Sequence, residues 1–290
     1  MRCETTADPA AFWDAASDYL VADPVVNSVI VTNVLGRRAG VVSDPAPATY
    51  LTVRDDAGGV VGAAMRTPPF YISLTRLPDA AIAPAVEALR TACPDAGGVA
   101  GVDTVADAFA TEWTGRTGQV SEVGMRSRIH RLDQVTWPAA ISGCARLAGS
   151  ADVELLTDWR IAFNEEVEPG AGPSRDLTAL RELSRRGAEL GVTEQRAWLW
   201  DDPAPVSFVG ATLPAGGIVR VAPVYTPPEQ RGRGYASALV AAVSQGALDA
   251  GAEACTLYTD ITNPTSNKIY AAVGYRPVCD VTACRFVDAG

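Results

Sequence analysis

The 290 residues carry 24 Lys and Arg against 34 Asp and Glu, a formal net charge of −10, and 48% of them are hydrophobic against 20% charged. At about 150 residues per domain the length points to two domains; the apolar content suffices for packed cores and excludes a disordered chain. An acidic chain is a poor partner for nucleic-acid backbones and anionic membranes, which attract Lys and Arg, so neither partner is expected.

His130 is the only histidine and Lys268 the only lysine. A single histidine rules out an HExxH helix and a three-His zinc site. The six cysteines, Cys3, Cys93, Cys144, Cys255, Cys279 and Cys284, form no CxxC pair, and no metal site is expected. Met1 to Leu20 has acidic residues and no apolar core, so it is not read as a signal peptide. No apolar stretch reaches the length of a membrane span. The expectation is a cytoplasmic protein whose cysteines are reduced, most of them small buried hydrophobes.

In chain order, helical patterns cover Ala10 to Val21 and, past the Asp23-Pro24 break, Val25 to Arg38. Tyr50 to Arg54 and Val60 to Met65 flank an Asp-Asp-Ala-Gly-Gly turn and predict a hairpin. A strand over Phe70 to Leu74, a helix over Asp79 to Ala92, and a further strand, helix and strand follow. His130 falls in the last of these, Arg126 to Leu132, among charged neighbours, and reads as a solvated strand-face residue. The Pro-containing stretch around Trp137 to Ser150 reads as a linker. The order then repeats: helices over Val153 to Glu166 and Leu177 to Leu190, a hairpin of Ala197 to Trp200 and Val206 to Ala211 around an Asp-Asp turn, a strand over Gly217 to Thr226, and a helix from Gly234 to Ala250. The repetition predicts two copies of one α+β unit, with domains at 1–136 and 151–290 and a linker at 137–150.

The copies differ at the joint after their third predicted strand. The first reads Thr75-Arg76-Leu77-Pro78-Asp79. The second reads Thr226-Pro227-Pro228-Glu229-Gln230-Arg231-Gly232-Arg233-Gly234-Tyr235-Ala236. Glycines leading into a helix gather free backbone N–H groups at the positive end of the helix dipole, an anion site suited to a pyrophosphate, and Arg231 and Arg233 add charge there. With no Lys nearby this is not a P-loop. A dinucleotide fingerprint fails because Ser237 stands at the third glycine position. Chemistry is therefore expected in the second half.

The run Arg231-Gly232-Arg233-Gly234-Tyr235-Ala236 resembles the R/Q-x-x-G-x-G/A signature of the GNAT (GCN5-related N-acetyltransferase) superfamily. A second block, Leu257 to Pro264, Ser266 to Tyr270 and Val273 to Pro277, resembles that family's later strand, its Asn, its Tyr-bearing helix and its Gly-aromatic turn. The likeness covers about Val153 to Phe286, with the first half a worn copy. The layout is similar to tandem GNAT proteins, including the glycine N-acyltransferase-like group.

The resemblance implies two units, each a mixed, mostly antiparallel sheet flanked by helices, with a splayed central strand pair in the second. It implies acyl-CoA, most often acetyl-CoA, as donor and an amine as acceptor. Arg231, Gly232, Arg233, Gly234, Tyr235 and Ala236 would hold the pyrophosphate. Val224, Tyr225 and Thr226 would line the pantetheine, with Pro223 marking a bulge in their strand and a backbone N–H polarising the thioester carbonyl. Asn263 and Asn267 would contact the cofactor, although Asn263 before Pro264 also suits a helix N-cap. Tyr270, two helical turns after Asn263, would be the general acid for the thiolate. Glu165, Glu166 and Glu168, read as a loop between the first two helices, and Asp260 are the candidate bases. The alternatives are a non-catalytic acyl-CoA-binding sensor or scaffold and, disfavoured by the loop, a nucleotide-dependent oxidoreductase.

Overall fold

The computed structural model describes residues 1–41, 46–167 and 177–289. It divides into two compact units: Met1–Ile129 with Val278–Gly290, and His130–Pro277.

In the first unit β1 (Arg2–Thr6) is followed by helices α1 (Pro9–Ala22) and α2 (Ser28–Arg38), then β2 (Thr49–Arg54), β3 (Val60–Arg66) and β4 (Ile72–Leu74). Helix α3 (Asp79–Ala92), β5 (Gly98–Val102), α4 (Asp103–Thr117) and β6 (Val120–Leu132) complete the repeat. The Asp-Asp turn forms for a local reason: Asp55 Oδ1 accepts from the N–H groups of Ala57 at 3.0 Å and Gly59 at 2.8 Å, and Gly58 takes φ +87°. The core stacks α3 and α4 on the sheet, with Trp113 parallel to Phe286 at 5.2 Å.

The second repeat has β7 (Cys144–Leu147), α5 (Val153–Val167), α6 (Leu177–Thr193), β8 (Ala197–Asp201), β9 (Pro205–Ala211), β10 (Ile218–Tyr225), α7 (Tyr235–Asp249), β11 (Ala254–Asp260), α8 (Pro264–Val273) and β12 (Arg276–Val287). Element for element this is the order of the first. The pairing repeats too: four antiparallel strands, then a parallel pair, β4–β5 in one and β10–β11 in the other.

The sheet orders are β1-β2-β3-β4-β5-β12 in the first unit and β6-β11-β10-β9-β8-β7 in the second. The last strand position of each sheet is thus filled from the other repeat: Val281 to Arg285 pair with Val102 to Gly98 of β5, and His130 of β6 accepts through its carbonyl from Thr256 Oγ1 at 2.9 Å.

Two local readings change. The stretch read as a linker contains β7, an edge strand too short and polar to show a period of two; its Arg146 is clamped by Asp152 and Asp201, both at 2.6 Å. His130 is not solvated but 5% exposed, because the end of β6 lies against β11, where its carbonyl is bonded by Thr256. All six cysteines are free thiols; Cys93, Cys255 and Cys284 are buried, Cys3 and Cys279 half-buried and Cys144 exposed. Among the described residues no helix is long and apolar enough to cross a membrane, and no group of His, Cys, Asp and Glu is arranged to hold a metal ion.

Candidate active site

Strands β10 and β11 run together only from Ile218↔Ala254 to Arg220↔Thr256; beyond that pair they separate. On its other side β10 stays with β9, but the register shifts between Val221 and Val224. Pro223 sits inside that bulge, where a residue without an N–H interrupts the ladder at least cost. The result is a gap bordered by Val221 to Tyr225 on one side and Leu257 to Asp260 on the other.

Past the end of β10, Gly232 and Gly234 adopt φ +76° and +88°, left-handed conformations that favour glycine, and Gly234 is the N-cap of α7. Among the described residues no acceptor lies within hydrogen-bonding distance of the backbone N–H groups of Gly232, Arg233, Gly234, Tyr235 and Ala236. A Cβ on Gly232 would meet nothing within 4 Å, so the loop is open on that side. Free amides at the positive end of a fifteen-residue helix attract an anion.

Polar side chains anchor the loop from below. The buried Tyr235 donates its hydroxyl to Asp202 Oδ2 at 2.6 Å, and Ser142 Oγ donates to the same oxygen at 2.5 Å. These two bonds, with the Arg233 charge nearby, hold the Asp202 carboxyl below its usual range. Trp200 Nε1 in turn donates to Ser142 O at 2.9 Å. Asp202 and Ser142 escaped the sequence reading because their only signal was a hairpin turn and a linker serine.

Arg231 points back across the loop. Its Nε donates to Thr226 O at 2.8 Å, its Nη2 to both oxygens of Glu166 at 2.7 Å, and its guanidinium lies 5.9 Å from the Tyr225 ring centre. Glu165 and Glu166 are therefore not in a loop: both belong to the last turn of α5 and are exposed. Glu168 lies outside the described residues. Arg233 is exposed, with one long bond to Glu229 O at 3.4 Å. Thr226 Oγ1 meets Ser207 Oγ at 2.9 Å, and Val224 is half-buried at the gap. Tyr225 is buried beside Trp159, and burial raises its phenol pKa.

Helix α8 starts on Asn263, whose Oδ1 accepts from Thr265 N and Ser266 N, both at 3.1 Å. The N-cap role is thus filled, and among the described residues the Nδ2 of the exposed Asn263 makes no hydrogen bond. Asn267 is used up within the fold: its Oδ1 accepts from Thr259 Oγ1 at 2.7 Å and its Nδ2 donates to Asp260 O at 3.1 Å and Asn263 O at 2.9 Å. It ties α8 to the end of β11. Asp260, exposed at that strand end, accepts through Oδ1 from Thr262 N and Oγ1.

Tyr270 is 8% exposed and packs edge-on against Tyr275, ring centres 6.0 Å apart. Among the described residues its hydroxyl has no hydrogen-bond partner, whereas Tyr275 bonds Ser244 Oγ at 2.8 Å. Burial alone drives the Tyr270 pKa far above the ordinary phenol value. The side chain is a neutral phenol holding a proton that nothing in the fold uses.

Residues 154–275 match the family described as acetyltransferase (GNAT). The second unit carries a GNAT domain. Solved structures extend the fold likeness to the whole chain. An acetyltransferase of the GNAT family from Colwellia psychrerythraea is 11% identical, with 99% of this chain and 100% of that one covered at a TM-score of 0.59. A Drosophila protein is 14% identical over 98% of both chains, with a TM-score of 0.66. A tandem GNAT protein from the clavulanic acid biosynthesis pathway is 14% identical over 100% of this chain and 99% of that one, with a TM-score of 0.56. No curated protein matches the chain.

The GNAT loop has no counterpart in the first unit. There Leu77, 6% exposed, packs so closely on Gly62 that a Cβ on the glycine would fall 2.1 Å from Leu77 Cδ2. Tyr19 donates its hydroxyl to Arg76 O at 2.7 Å, and Thr75 Oγ1 accepts from Ala63 N at 2.8 Å. The joint that opens in one repeat is filled in the other.

Proposed function

We propose that the protein is an acyl-CoA-dependent N-acetyltransferase, moving an acetyl group from acetyl-CoA to an amine, with one working site in its GNAT domain. The observation that carries this reading is the coincidence, along one strand, of the gap beyond Arg220↔Thr256 and the unbonded amides of Gly232 to Ala236. A gap admits an extended ligand arm, and an amide cradle suits its phosphate end.

When bound, acetyl-CoA supplies an activated acetyl thioester. The amides of Gly232, Arg233, Gly234, Tyr235 and Ala236, with the α7 terminus, hold its pyrophosphate, the Arg231 amide being spent on Pro228 O, and the Arg233 charge adds attraction. Val224, Tyr225 and Thr226 border the pantetheine arm, and Asn263 offers it the Nδ2 that helix capping leaves free. Asn267 acts by fixing α8 against β11. Tyr270 keeps a proton on its Oη for the departing sulfur, the role its neutral, unbonded state suits. The amine must lose a proton to a base; Asp260 is the candidate on a strand that borders the gap, and Glu165 is the other. The first unit binds no donor, because Leu77, Tyr19 and Thr75 occupy its joint.

Calorimetric titration with acetyl-CoA tests the reading, with NADH alongside. One acetyl-CoA per chain and no NADH is the expected result, and turnover with a panel of amines completes it. Absence of CoA binding would sink the proposal. Tight binding without turnover of any amine would favour an acyl-CoA sensor instead.

A further inference from the structure

On the face of the GNAT sheet that packs against α5 and α6, three arginines come together. Arg160 lies on the inner side of α5, four residues after the buried Leu156. It presses so closely on α6 that a Cβ on Gly187 would lie 2.5 Å from its Nη2 and 2.8 Å from its Nε. Arg196 follows α6, its amide bonded to Gly191 O at 2.8 Å. Arg220 stands in β10 between Val219 and Val221, which join the core around α7, so strand alternation sends Arg220 to the α5 face. The backbones of Arg196 and Arg220 flank one strand end: Ala211 N donates to Arg196 O and Thr212 N to Arg220 O, both at 2.9 Å.

Elsewhere this protein answers the arginines packed into its fold, buried Arg66 and half-buried Arg146, with acids. Arg66 pairs with Asp95 at 2.9 Å, and Arg146 with Asp152 and Asp201. Here, among the described residues, neither Arg160 nor Arg196 has a hydrogen bond or ion pair through its guanidinium, and the Nε of both is buried without an acceptor. Burial, and then the charge of Arg196, holds the Arg160 pKa down to about 10, while burial lowers Arg196 against the opposing pull of Glu194, so that Arg160 is the charge left without an acid. Uncompensated buried charge is costly, and an anion relieves that cost.

The cluster also has a direction. Arg220 forms the last β10–β11 pair with Thr256, so it marks the closed end of the gap; Tyr258, two residues on, shares its face and its electrostatic field. The glycine loop leads from the other end of β10. We propose that Arg160, Arg196 and Arg220 form the acceptor subsite, and that the acceptor amine bears an oxyanion, a carboxylate or a phosphate. The proposal rests on the acetyltransferase reading and names its substrate class. A planar guanidinium fork matches two oxygens of either group. The anion docks on the cluster while the amine reaches the acetyl group at the gap.

Release of free CoA thiol from acetyl-CoA is measured with two matched panels: amino acids against their amides, and phosphoethanolamine against ethanolamine. The anionic member of at least one pair should be preferred in kcat/KM by about 100-fold or more, since a site built for a polar group rejects an analogue lacking it. The panel that responds separates carboxylate from phosphate. Equal use of anionic and neutral amines overturns the proposal, as does acetyl-CoA binding with turnover of neither panel. Arg160→Met should raise the acceptor KM and leave acetyl-CoA affinity unchanged.

A second arm needs no donor, so failure of the acetyltransferase reading is seen separately, as lost acetyl-CoA binding. Thermal unfolding is followed with N-acetylglycine or inorganic phosphate at fixed ionic strength. One of these anions should raise the wild-type Tm; Arg160→Met should have a higher Tm without it and no response to it, and Arg160→Lys should keep part of the response. A wild type indifferent to both anions, or an Arg160→Met protein that responds as wild type does, refutes the site.

Discussion

Tyr270 and Gly234 carry the proposed chemistry at the scale of single residues, through surroundings in one case and conformation in the other. Tyr270 has an apolar environment and a proton with no internal use. Replacing it with Phe should lower kcat by roughly 100-fold, within the usual range for a general acid, and leave acetyl-CoA affinity unchanged by calorimetry. Equal loss of both would make Tyr270 a packing residue. Its raised pKa also fixes the pH behaviour. Below about pH 10, the value of an unfolded phenol, Tyr270 and Tyr275 are neutral in both states and their stabilising burial is fully present. As pH rises past that value the unfolded chain ionises first, so stability falls; denaturant unfolding followed against pH should show this decline setting in above about pH 10. Any loss of turnover below about pH 10 then belongs to a group other than Tyr270. Gly234 at φ +88° tolerates a β-branched side chain poorly. Gly234→Val should cost about 1–3 kcal/mol, a lower Tm in a chain that still folds, and weaken acetyl-CoA binding by at least about tenfold.

At the scale of elements, the glycine loop is held by partners that lie far away in sequence. Tyr235 reaches Asp202 in the β8–β9 hairpin, and Arg231 reaches Glu166 at the end of α5. The Arg231–Glu166 pair is half exposed on both sides, so Glu166→Gln should change stability by less than about 1 kcal/mol. It should also free Arg231 for the donor, tightening acetyl-CoA binding a few-fold at low salt, with the gain fading as salt rises. Unchanged affinity at low salt would mean that Arg231 serves only to brace α5. The glycines, the bulge proline and the Tyr-bearing helix were legible because each leaves a local mark: φ freedom, a missing N–H, a helical spacing. Asn267 shows the limit of such marks. Its type and position matched a cofactor contact, yet its amide is spent on Thr259, Asp260 and Asn263, and only the distances reveal it.

Across the whole molecule, the duplicated order α-α-β-β-β-α-β-α-β was readable from alternating hydrophobic periods, but the leading strands β1 and β7 and the exchange of the last strands were not. A fragment ending at residue 136 lacks the Val281 to Arg285 ladder on β5, and a fragment beginning there lacks the β6 end beside β11. Each would expose an interior strand edge, a template for aggregation. Separate expression of 1–136 and 137–290 should therefore yield insoluble or unfolded chains, and co-expression should restore acetyl-CoA binding. Two soluble, independently folded fragments would contradict the exchange. The sequence alone determined the repeated unit and the glycine loop that only the second repeat carries, because these follow from local backbone freedom and from periodicity along the chain. Only the tertiary structure decided that Leu77 fills the first joint, that Glu166 answers Arg231, and that Arg160, Arg196 and Arg220 gather where the gap closes. Those outcomes depend on which distant residues share a space, and charge and burial acquire energetic meaning only there.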